Sequence, residues 1–231
     1  MMFDPLYLLF ALPGLLLSMF ASFYVKSTFG KYSKVGTYSG MTGAQAAERM
    51  LTSAGITDVR IERVNGFLSD HYDPSAKTLR LSPDVYGSQS VSAIGVACHE
   101  AGHAIQHATH YSPLWLRSVL VLPANLGSNF SYILIAAGAF MQSPSLINIG
   151  LLLFSLAVLF TIVTLPVEWD ASARAKKAIL SAGFVSAQEH QAACSVLNAA
   201  FLTYVAAAAS AVMTLLYYLV RLGIIGGRRR D

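Results

Sequence analysis

Charge is scarce in this 231-residue chain: 16 lysines and arginines and 12 aspartates and glutamates make up only 12% of it, about half the share of an ordinary soluble domain. So few charges cannot clothe a soluble globule that is 55% hydrophobic, and a mean hydropathy of +0.53 points to a membrane protein. Cysteine is scarcer still. Cys98 and Cys194 stand alone, make neither a disulfide framework nor a ligand pattern, and do not argue for an oxidising compartment. Cys98 falls on the apolar flank of its helix, where a buried free thiol is expected. The net charge of +4 is too small to signal nucleic-acid binding and is read as membrane topology and lipid-headgroup contact.

Long apolar runs are present: Leu6 to Val25, Ser118 to Phe140, Leu146 to Leu165 and Phe201 to Leu222, each near the ~20 residues that cross a bilayer as a helix. The fold class expected is a mainly α membrane protein with about four transmembrane helices and a small α+β region. The first run has no basic residue before it and is too long for a typical signal core. Asp4-Pro5 reads as an N-cap followed by proline at the first helical position, so residues 1–25 are taken as a retained anchor. Pro13-Gly14 and Pro123 are expected to kink or loosen their helices, which membrane neighbours tolerate. Small residues from Ala206 to Ala211 permit tight helix packing, within one chain or between chains.

Between the first two runs lies a polar stretch, residues 26–112, able to form a water-facing domain. Thr42-Gly43-Ala44-Gln45 resembles a capping box, and Ala47, Met50, Leu51 and Ala54 continue an apolar face until Gly55 stops the helix. Val59-Arg60-Ile61-Glu62 and Leu79-Arg80-Leu81 alternate with period two around an Asp73-Pro74 turn, predicting a small sheet with a hairpin from about Gly66 to Ser82. A further helix starts near Ser88 or Ser90 and runs to about Ala108. Ala93, Ile94, Ala97, Ala101, Ala104, Ile105 and Ala108 form its apolar stripe, and Glu100, His103, Gln106 and His107 occupy more polar faces. Ala101, Gly102 and Ala104 would let another helix approach closely.

That helix carries His99-Glu100-Ala101-Gly102-His103. With 3.6 residues per turn, His99 and His103 share a face one turn apart and both can reach one metal ion. Glu100 is rotated about 100° from them, placed to serve as general base toward an activated water. The pattern points to zinc-assisted peptide hydrolysis. A catalytic zinc takes three protein ligands, and beyond His103 the chain has only four carboxylates: Glu168, Asp170, Glu189 and Asp231. Glu189 has its own explanation in the capping box Ser186-Ala187-Gln188-Glu189 that starts the last long helix. Glu168 follows the third membrane run, two crossings after the motif and therefore on the same side of the bilayer; the alternative for it is a plain interfacial charge. Pro166 is expected to begin a new helical segment, separating a membrane hairpin, residues 113–166, from residues 167–231.

The motif, together with Pro166-Val167-Glu168-Trp169-Asp170-Ala171-Ser172, Ser69-Asp70-His71-Tyr72-Asp73-Pro74 and Leu79-Arg80-Leu81-Ser82, resembles the YugP-type neutral zinc metallopeptidases, which are bacterial membrane proteins. The likeness covers nearly the whole chain. More distantly, the chain is similar to the membrane gluzincins that include the heat-shock membrane protease and the prenyl-protein proteases. The resemblance implies a zincin-like region carrying an HExxH helix, one zinc ion held by His99, His103 and Glu168, and Glu100 as general base. The distant relatives carry an aspartate four residues after the glutamate ligand, where this chain has Ser172. Asp170 is the nearby carboxylate considered for orienting a ligand imidazole, though its position faces elsewhere on a regular helix. His107 continues the ligand face and is read as a solvated histidine or, alternatively, as a ligand or a group supporting the site. His71, Tyr72 and Arg174 are considered as oxyanion donors. His110 and His190 are read as surface residues.

Lys26, Lys31 and Lys34 after the first membrane run, and Arg174, Lys176 and Lys177 after the third, put the catalytic segments on the cytoplasmic side of a bacterial inner membrane. Arg228-Arg229-Arg230 argues the other way, since four crossings leave the C-terminus outside. The expected partners are the bilayer and a peptide or protein substrate, itself membrane-associated or not, which can pair in extended form with an exposed edge of the hairpin. Two other classes compete: a membrane scaffold that keeps zinc only for structure, and an intramembrane metalloprotease. Glu62, Arg63, Asp70, Asp84 and Gln106 make the motif region too polar for the latter.

Overall fold

The computed structural model describes residues 4–66 and 69–225. Arg228-Arg229-Arg230, with their bearing on topology, lie outside the described residues. The described chain is mainly helical: α1 (Pro5–Tyr32), α2 (Gly43–Ser53), β1 (Arg60–Arg63), β2 (His71–Asp73), β3 (Thr78–Leu81), α3 (Pro83–Tyr86), α4 (Val91–Ala108), α5 (Ser112–Phe140), α6 (Pro144–Ser181) and α7 (Ala187–Arg221). By length and composition, α1, α5, α6 and α7 are each able to cross a membrane.

The described parts of residues 1–20, 116–165 and 203–231 form one compact unit. Its apolar side chains point largely outward, with Leu9, Leu122, Ile133 and Leu152 each more than 60% exposed, as lipid contact requires and water would penalise. Small residues set its interior spacing. Gly127 lies so close to the Leu153 carbonyl that a Cβ there would collide with backbone, the close helix approach common in membrane bundles. Ser18 and Ser210 share a hydrogen bond of 3.1 Å between their hydroxyls, and the Asp4 carboxylate accepts from the backbone of Leu6 at 3.0 Å and from Tyr217 at 3.0 Å.

Residues 21–115 and 166–202 form the second unit, where burial follows the helical and strand periods read from the sequence. α2 begins on a reciprocal cap: Gln45 N–H donates to Thr42 Oγ1 at 3.3 Å and Thr42 N–H donates to Gln45 Oε1 at 2.9 Å. Ala46, Ala47, Met50 and Leu51 then face the core, and Gly55 turns the chain at φ +74°. In the sheet, β3 is central, parallel to β1 and antiparallel to β2. The β2–β3 hairpin closes because Asp73 Oδ1 accepts from the N–H groups of Ser75 and Ala76 at 3.0 and 3.1 Å, an Asx-type turn. Leu79 and Leu81 of β3 are fully buried.

Ser90 caps α4, its hydroxyl accepting from Ala93 N–H at 3.2 Å. The polar face of α4 is not solvated as its sequence pattern implies: Glu100, His103 and Gln106 are all buried. α6 supplies the reason, because it covers that face. The expectation that Pro166 starts a new helix is corrected: Pro166 sits inside an unbroken α6. An interior proline costs about 3 kcal/mol through a lost hydrogen bond and a clash. Here Val167, Ala171, Ala175 and Ile179, on one stripe just beyond it, are all fully buried, and that packing holds the helix through the defect. Ser186 and Glu189 cap α7 as read, Glu189 N–H donating to Ser186 Oγ at 3.3 Å and Ser186 N–H to Glu189 Oε2 at 2.6 Å.

Candidate metal centre

α4 and α6 meet where neither has a bulky side chain. A Cβ on Gly102 would lie 2.7 Å from the carbonyl oxygen of Ala171, so only glycine permits this spacing, at about 1 kcal/mol of lost helix propensity. The close approach brings His99 and His103 of α4 against Glu168 of α6.

The two imidazole rings stand at 82° with centroids 4.8 Å apart. Nε2 of His99 is 3.2 Å, and Nε2 of His103 3.5 Å, from the same carboxylate oxygen, Oε2 of Glu168. All three donor atoms fall within 4.8 Å of one another. Ligands bound tetrahedrally to zinc at 2.0–2.1 Å sit about 3.4 Å apart, so the two short separations fit a shared ion. Glu168 is 1% exposed, and a carboxylate buried so deeply requires positive charge beside it. The donor set, two nitrogens and one oxygen, is one that zinc accepts.

Each imidazole is held from behind. Nδ1 of His99 is 3.0 Å from the Ser172 hydroxyl, and Nδ1 of His103 is 3.0 Å from Oε1 of Gln106. Gln106 in turn donates from Nε2 to the Val167 carbonyl at 2.8 Å and to Asp170 Oδ2 at 2.9 Å. Arg174 donates to the same Asp170 oxygen at 2.6 Å and lies over the Tyr111 ring at 5.8 Å. Burial alone would push the His103 imidazole down; its bond to Glu168 and the charge of Glu100 outweigh this and hold it above the ordinary histidine value. Burial pushes the Cys98 thiol far up, leaving it inert.

Of the residues singled out from sequence, the fold brings His99, His103 and Glu168 together, with Glu100 buried on the same helix. Asp170 reaches His103 only through Gln106. His107 is half-buried and its Nδ1 is 2.9 Å from the Tyr72 hydroxyl, so it is not a simple solvated histidine. His71 alternates to the other face of β2, is exposed, and has its Nδ1 2.8 Å from the Ser69 carbonyl. Arg174 is engaged by Asp170 and Tyr111. Sequence reasoning missed the partners of the two imidazoles, Gln106 and Ser172. Gln106 lies one turn beyond His103, and Ser172 one turn beyond Glu168, spacings that could have marked both.

Residues 7–223 match the model of a protein family described as "Putative neutral zinc metallopeptidase". The chain is also 46% identical over 215 residues to a Bacillus subtilis (strain 168) protein named "Putative membrane protease YugP", an alignment covering 93% of this chain and 96% of that protein. No solved structure matches the chain.

Proposed function

This chain belongs to the neutral zinc metallopeptidase family, and on that premise we propose that it is a membrane-anchored zinc endopeptidase of gluzincin type. In this reading residues 26–112 are its zincin-like region, α4 its HExxH helix, and His99, His103 and Glu168 the ligands. The observation that carries it is the convergence of both Nε2 atoms on Oε2 of the buried Glu168. When bound, zinc supplies a Lewis acid that polarises the scissile carbonyl and brings the pKa of water toward ~7.

The chain's own residues do the rest. Glu100 takes the proton of the attacking water and returns it to the leaving amine, one carboxylate serving both half-reactions. Ser172 and Gln106 keep the ligand rings from rotating, so both face the ion without reorganisation. β2 pairs only with β3 among the described residues, so its outer edge is free to bind an extended peptide through backbone hydrogen bonds, with broad sequence tolerance. Tyr72 and Arg174 remain the proposed donors toward the developing oxyanion, Tyr72 set by its bond to His107 and Arg174 by its pair with Asp170; His71, turned to the other face of β2, is left out.

The site faces the cytoplasm of a bacterial inner membrane in this account, on the strength of Lys26, Lys31, Lys34, Arg174, Lys176 and Lys177 flanking the spans. The test is proteolysis of an unfolded protein by the detergent-purified full chain. Cleavage abolished by a chelator and restored by one equivalent of zinc supports the reading. Stoichiometric zinc with no cleavage of any unfolded substrate would instead favour a structural metal.

A further inference from the structure

We propose that Gln106 is a positioning residue that sets the tautomer of His103 and clamps the helix of His103 to the helix of Glu168; the proposal rests on the zinc site described above. Gln106 is fully buried, where a primary amide is costly unless its donors and acceptor are met. Its two amide hydrogens have two oxygen acceptors, the Val167 carbonyl and the Asp170 carboxylate, at 2.8 and 2.9 Å. The Val167 carbonyl can only accept, so the amide nitrogen must face it, and the Asp170 oxygen that takes the second hydrogen also accepts from Arg174 at 2.6 Å. The amide therefore has one workable orientation.

The consequence falls on the imidazole. With the amide nitrogen committed to Val167 and Asp170, only Oε1 can face Nδ1 of His103, 3.0 Å away. An acceptor there requires a hydrogen on Nδ1, which leaves the lone pair on Nε2, the atom directed at Glu168 Oε2. Two lone-pair atoms 3.5 Å apart repel unless a cation stands between them. Asp170 thus acts on the metal ligand at one remove, through an amide that reverses its polarity: acceptor at Asp170, donor and acceptor in Gln106, donor at His103.

The same amide spans the helix interface. Gln106 and His103 belong to α4, and Val167 and Asp170 flank Glu168 on α6. One side chain therefore fixes both the ring that coordinates and the distance to the carboxylate that completes the set. Ser172 of α6 holds the ring of His99 of α4 across the same interface, and Gln106 adds the bonds on either side of Glu168.

The test is zinc affinity of the full chain in detergent, measured by chelator competition, for wild type, Gln106→Met and Asp170→Asn. Methionine keeps the volume and removes every hydrogen bond; zinc affinity should fall 10–100-fold. Asp170→Asn keeps an oxygen acceptor toward the Gln106 amide, and the Val167 carbonyl still fixes that amide, so affinity should stay within about fivefold of wild type, counting the loss of the Arg174 ion pair. Wild-type affinity in Gln106→Met, or equal weakening in both variants, overturns the proposal. Should either variant fail to fold, 15N spectra of histidine-labelled, zinc-loaded wild type decide: a His103 ring with hydrogen on Nδ1 supports it, and one with hydrogen on Nε2 overturns it. Wild type without zinc affinity would sink the metallopeptidase reading itself, a distinguishable outcome.

Discussion

Ser172 Oγ lies 3.0 Å from Nδ1 of His99, one helical turn beyond Glu168 on α6. A single stretch of α6 thus presents both a carboxylate to the front of the imidazole and a hydroxyl to its back. The hydroxyl is neutral. It orients the ring without adding a third buried carboxylate beside Glu168 and Glu100, both already buried. Ser172→Ala should therefore weaken zinc binding about tenfold and leave turnover at saturating zinc nearly unchanged. Chelator competition and kinetics on the same preparation check both halves.

Glu100→Gln keeps the shape of the side chain and removes its basicity. Peptide hydrolysis should fall by about 10²–10⁴-fold, the range for a lost general base, with zinc content unchanged. Elemental analysis beside a cleavage assay reads the two quantities. A variant that loses both would place Glu100 among the groups that build the site rather than those that react.

Gly102 sets the spacing on which the site depends. A methyl group at this position would sit 2.7 Å from the Ala171 carbonyl, and because that neighbour is backbone, the helices must separate. Gly102→Ala should destabilise the protein by about 1–3 kcal/mol, despite the gain in helix propensity, and weaken zinc binding as Glu168 moves from His99 and His103. Thermal melts in detergent and chelator competition measure the two effects.

The pH dependence follows from His103, whose imidazole is held above its ordinary value because Glu168 and Glu100 outweigh burial. A folded pKa above the unfolded value of ~6.5 stabilises the metal-free protein below that pH, and the contribution is lost as pH rises through the raised value. Zinc competes with that proton. The rise in melting temperature on adding zinc should accordingly be smaller at pH 6 than at pH 8. A zinc-induced shift independent of pH across this range would contradict the assignment.

What could be read in the sequence was what is encoded locally. The Thr42 and Ser186 capping boxes, the Asp73 turn, the four apolar runs and the motif helix all depend on residues within a few positions of one another. The small residues around Gly102 even signalled that a second helix would approach. The misreading of Pro166 has the opposite cause: the proline rule is local, but the stripe of Val167, Ala171, Ala175 and Ile179 packs against α4, some seventy residues earlier. The parallel pairing of β1 with β3 is likewise nonlocal. Gln106 looked like a polar-face residue because nothing in its own helix says that Val167 and Asp170 will cover it.

The central claim is that one zinc site is assembled from α4 and α6, with Glu168 as its third ligand. It is tested most directly by the zinc content of wild type and Glu168→Ala after gentle detergent extraction and dialysis against a weak chelator. The account predicts one zinc per wild-type chain and essentially none in the variant; equal zinc in both, or none in wild type, would contradict it.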